Sequence, residues 1–75
     1  MFVSSDIYFI QIYLNMILFV YRRKSLALLY NERGFVYYKC VEFNLAADDY
    51  TTAIQLDPSL DIAYYNRGTI HYRMG

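Results

Sequence analysis

Few side chains in this sequence are equipped for chemistry. There is one histidine, His71, and one cysteine, Cys40. No cluster of histidine and cysteine offers the ligand set of a metal site, and no cofactor is implied. Asp48 and Asp49 are adjacent. On a helix, neighbouring side chains point about 100° apart, so the two carboxylates do not face each other for acid–base work. No glycine-rich loop is present to cradle a phosphate. Cys40 reads as a small apolar residue near a helix end, and His71 as a core or interface residue. Arg33 and Arg67 are read as partners of Asp48, Asp49 or a helix end rather than as ligand anchors. An enzyme is therefore not expected. A lone cysteine also excludes an internal disulfide and fits a reducing compartment, so the expected location is the cytoplasm.

The organising feature lies elsewhere. Tyr30-Xaa-Xaa-Arg33-Gly34-Xaa3-Tyr38 recurs as Tyr64-Xaa-Xaa-Arg67-Gly68-Xaa3-Tyr72, a shift of 34 residues. Leu28/Ile62, Val36/Ile70 and Lys39/Arg73 are conservative pairs at the same shift. Fixed-period recurrence of glycine and aromatic positions indicates one structural unit laid down more than once. Between the copies stand Ala46, Tyr50, Ala53 and Pro58. Small residues permit close approach of helices, and the aromatic residues Tyr30, Tyr37, Phe43 and Tyr50 fill the gaps between backbones. Pro58 cannot continue a helix and disfavours helical geometry at Asp57. Ser59 or Asp61 is placed to cap the helix that follows.

Together these positions resemble the tetratricopeptide repeat, a helix-turn-helix unit. The resemblance implies an all-α solenoid fragment: one full repeat, residues 27–60, and the first helix of a second, residues 61–75. The first helix of the full unit spans about Ala27–Cys40 and the second about Phe43–Leu56. Gly34 and Ala46 join those two helices, and Ala53 meets the next unit. Two departures stand out. Val41 occupies the turn position where the family usually has glycine, and a β-branched residue takes left-handed geometry only at a cost. His71 replaces an expected tyrosine.

The resemblance also implies a function, non-catalytic binding of a protein or peptide in a concave groove. Carried over residue by residue, the groove is lined by Asn31, Phe35, Tyr38, Lys39, Tyr65, Asn66, Thr69 and Arg73. The carboxylate clamp of some relatives is only partly matched, because Asn31 and Phe35 stand where Lys and Asn are expected. Exposed faces at the ends of such a unit suggest part of a longer array.

Residues 1–24 differ in character from residues 25–75. Ile7–Tyr21 carries no charge, with Gln11 and Asn15 its only strongly polar members, and Arg22-Arg23-Lys24 follows. Residues 25–75 carry a small acidic excess, and no long basic stripe marks a nucleic-acid site. A boundary is drawn at Ser25, which is placed to cap the first repeat helix. Three readings of the apolar run compete. As a membrane anchor its fifteen residues reach about 22 Å at 1.5 Å per residue, short of the roughly 30 Å hydrocarbon layer unless counted from Met1. A basic C-terminal flank would keep the repeat in the cytosol. A secretory signal is set aside, since the basic residues come after the run and no small-residue cleavage site is present. As a packed helix the run lies against the first face of the repeat as a crude cap, with Gln11, Asn15 and Arg22 on one narrow face.

Overall fold

The computed structural model describes the backbone of residues 3–75 and the side chains of residues 6–75. Three helices account for almost all of it: α1 (Val3–Lys39), α2 (Phe43–Leu56) and α3 (Asp61–Met74). Helix α2 packs on α1 through most of its length, and α3 packs chiefly on α2. The result is an all-α, TPR-like helix-turn-helix with a third helix stacked on it.

The division at Ser25 does not exist in the backbone. Helix α1 runs through it without a break for 37 residues, about 55 Å at 1.5 Å per residue. The physical reason is simple. The chain's only proline is Pro58, and a change in hydrophobicity or charge does not interrupt i to i−4 hydrogen bonding. Only a missing N–H, a left-handed residue or a competing cap does so. Ser25 is therefore a mid-helix residue and not a cap. The apolar run does not fold back as a cap over the repeat either. It continues straight, its large side chains from Ile7 to Tyr21 all exposed, and the molecule measures 65 × 17 × 13 Å. Among the described residues, no helix is long and apolar enough to cross a membrane.

Helix α1 ends in a Schellman motif, with Glu42 N–H donating to the Tyr37 carbonyl (2.9 Å) and Val41 N–H to that of Tyr38 (3.0 Å). The motif needs a left-handed residue at Val41, whose φ is 63°. For a β-branched residue this conformation stores about 1–2 kcal/mol of strain. Val41→Gly should therefore raise stability by about 1 kcal/mol; no rise in the urea midpoint would show that the turn is relaxed. Pro58 follows the end of α2 as its geometry requires. At α3 the expected cap is absent: Leu60 is the N-cap residue and makes no side-chain cap bond, while Asp61 is already helical. Ser59 turns the other way, donating its hydroxyl (2.6 Å) and its N–H (3.1 Å) to Asp57. Those bonds, led by the hydroxyl, hold the Asp57 carboxyl below its ordinary range, helped by Lys24 at 3.4 Å.

Two small cores bind the helices. Ala27, Ala53 and Ala63 meet where one helix of each kind converges, with Tyr30, Ile54, Leu56 and Leu60 around them. Ala46, Tyr50 and Ile70 form the second, flanked by Tyr37, Tyr38 and Phe43. Gly34 lies under the Tyr50 ring: a Cβ built there would be 2.8 Å from Tyr50 Cε1 and 3.2 Å from Asp49 Cβ. The α1–α2 approach thus requires a residue without a side chain at position 34.

A bidentate ion pair locks the same approach. Arg33 donates from Nε to Asp49 Oδ2 (2.7 Å) and from Nη2 to Oδ1 (2.8 Å). The Asp49 side chain is only 6% exposed and that of Arg33 58%. The guanidinium sits over Tyr30 and Tyr37 at 5.3 and 5.6 Å. Its hydrogen bond and charge attraction to Asp49 raise its pKa further above the usual arginine value. Asp48, one residue earlier, is exposed, as the 100° rotation requires. Arg67 makes the weaker equivalent contact, donating to Thr51 Oγ1 at 3.3 Å.

Candidate functional site

Helices α1 and α3 run side by side on one surface of α2, and the groove between them is the candidate site. Its floor is Tyr50, fully buried in α2. Burial pushes the Tyr50 phenol above its ordinary value. Phe35 and Tyr38 from α1 and Tyr65, Asn66 and Thr69 from α3 form the walls of a depression of about 220 Å³. Five of the eight groove residues expected from the sequence therefore converge on one hollow. Tyr50 was not among the eight, because family reasoning assigned the groove to first helices alone. The pairing of the small residue Gly34 with a large aromatic on the next helix was the available signal.

The other three are placed around that hollow. Asn31 is buried and accepts a hydrogen bond from Asn66 Nδ2 at 3.1 Å, tying α1 to α3. It fixes the spacing of the walls rather than offering a free amide. Lys39 lies with its ammonium 5.3 Å from the Phe35 ring centre. Arg73 reaches from α3 to within 5.8 Å of the Tyr38 ring centre. Tyr38 in turn stacks near Phe35 (6.4 Å) and Phe43 (5.8 Å). Two cations thus flank an aromatic wall at the C-terminal ends of α1 and α3, where helix dipoles favour positive charge. The ion pairs of the described residues are Lys24–Asp57 and Arg33–Asp49, neither of which uses Lys39 or Arg73.

His71 is exposed on α3, so of the core and interface roles expected of it the core role is not realised. Cys40 is free and exposed at the end of α1.

Comparison with known proteins places this geometry. The family model described as TPR repeat matches residues 42–75. That window pairs α2 with α3, whereas the sequence division pairs the second half of α1 with α2. A continuous helical repeat can be divided at either turn. No curated protein and no solved structure matches the chain. Repeats of this family serve generally as scaffolds for protein–protein interaction. The matched window and the three-helix, all-α fold together fit a TPR repeat over residues 42–75.

Proposed function

We propose that the chain is a non-catalytic scaffold that binds a protein or peptide segment in the groove between α1 and α3. The observation that carries this reading is the hollow walled by Phe35, Tyr38 and Tyr65 with Lys39 and Arg73 beside it. An apolar side chain fits the hollow, and a carboxylate on the same segment complements the two cations. Aromatic and arginine side chains are the residues on which binding energy concentrates.

The reading extends to a stacked series of units. Ala63 and Ile70 of α3 are buried against α2, but Leu29 and Val36, their equivalents 34 residues earlier on α1, are exposed. Gly34 is covered by Tyr50, but Gly68, its equivalent on α3, faces open space. The same positions are covered on one helix and uncovered on the other, as in a series whose neighbouring helices complete each face. The cytoplasm suits a free, exposed Cys40; finding a tagged chain in the secreted fraction would overturn that location.

A display selection of random peptides against the full chain tests the groove. Enriched peptides should carry an acidic residue near an apolar one, and Tyr65→Ala or Phe35→Ala should weaken them about tenfold or more. Enriched peptides indifferent to both substitutions would place binding elsewhere.

A further inference from the structure

The face of α1 that packs on α2 does not stop where α2 stops. Arg23, Ala27, Tyr30, Gly34 and Tyr37 follow one another at alternating spacings of four and three along that face. Extended toward the N-terminus with the same alternation, the stripe continues as Val20, Met16, Tyr13, Phe9 and Asp6. This is the seam spacing of paired helices. Phe9, Tyr13, Met16 and Val20 are 70, 66, 62 and 50% exposed. The stripe from Phe9 to Val20 is apolar and open, and a facing helix can set its own side chains between these residues.

We infer that this half of α1 pairs with the same half of α1 in a second copy, antiparallel, about a twofold axis between Tyr13 and Met16. Charge selects both the partner and the direction. In the antiparallel register Phe9 opposes Val20, Tyr13 opposes Met16, and Asp6 of one copy comes to Arg23 and Lys24 of the other. A parallel pair would set each of these charges against its own kind, which is unfavourable. Between Ile7 and Tyr21 there is no charge to desolvate on either copy. The register is self-complementary, as a twofold interface requires.

The area is sufficient. Large side chains carry about 150–250 Å² each when aromatic, so covering the exposed seam and its flanks on both copies removes roughly 1,000 Å² from water, the lower bound for a specific interface. This pairing is independent of the groove between α1 and α3, and it holds or fails whatever that groove binds.

Sedimentation equilibrium of the full chain tests it. The chain should be dimeric, and Met16→Glu or Val20→Glu should weaken the dimer at least about 100-fold. Both side chains are at least half exposed, so both variants should keep the helical signal of the repeat. Orientation is read by disulfide trapping in a Cys40→Ser background. A mixture of Phe9→Cys and Val20→Cys chains should cross-link, while Phe9→Cys alone should not. A monomeric wild-type chain overturns the proposal, and so does a dimer unaffected by Met16→Glu and Val20→Glu. Self-linking of Phe9→Cys overturns the antiparallel register. A wild-type chain that is monomeric in solution and binds phosphatidylcholine–phosphatidylserine vesicles replaces the second copy with a lipid surface.

Discussion

Gly34→Ala should lower the stability of this chain by about 2 kcal/mol, and Gly68→Ala should raise it by about 0.5–1 kcal/mol. The two glycines occupy equivalent positions of the sequence repeat, so local propensity treats them alike. In each, alanine removes the conformational cost of glycine within a helix. The difference lies in what the new methyl group meets. At position 34 it meets the Tyr50 ring at 2.8 and 3.0 Å and Asp49 Cβ at 3.2 Å. Tyr50 is fully buried and cannot tilt away without disturbing Ala46 and Ile70. At position 68 the methyl group meets nothing within 4 Å. Thermal unfolding followed by circular dichroism should separate the two variants by on the order of 10 °C, given roughly 4–8 °C per kcal/mol at this size. Equal shifts of one sign would mean that α2 does not lie against α1 at Gly34.

Breaking the Arg33–Asp49 pair should have an asymmetric outcome. Arg33→Gln leaves a buried carboxylate without its partner, and the melting temperature should fall by on the order of 10 °C. Asp49→Asn leaves a guanidinium that is already more than half exposed and can hydrate, so its fall should be smaller. Arg33→Lys should recover only part of the loss, because an ammonium cannot match the two-oxygen fork. Urea midpoints of the three variants at pH 7 decide it. A larger loss in Asp49→Asn than in Arg33→Gln would show that the carboxylate is hydrated.

The parts of this structure that were legible in the residues are those with a local physical signal. Helix α2 has the bounds expected of it, since Pro58 stops it and Ala46, Tyr50 and Ala53 define its buried side. The start of α3 at Asp61 follows from the same proline and from the repeat period. The helix cap placed at Ser25 failed because it rested on a change of composition, and composition does not terminate a helix. The cap at Ser59 failed because Asp57, two residues earlier, competes for its hydroxyl. His71 is not a core residue for a different reason: a packing position is a property of two helices, and its side chain lies on the face of α3 away from α2. Five of the eight residues drawn from the family period line the hollow between α1 and α3; Tyr50 was not among them, since it belongs to the helix behind them.

The unbroken course of α1 through residue 25 has a mechanical consequence. The apolar half and the repeat share one rigid rod, with no linker to absorb rotation between them. Whatever grips Phe9–Val20 therefore sets the azimuth and height of Phe35 and Tyr38, about four to eight turns away. Two chains joined at their rods would present their grooves as a fixed pair, held apart like the ends of a calliper. A ligand with two copies of its recognition segment would then be selected by the distance between them.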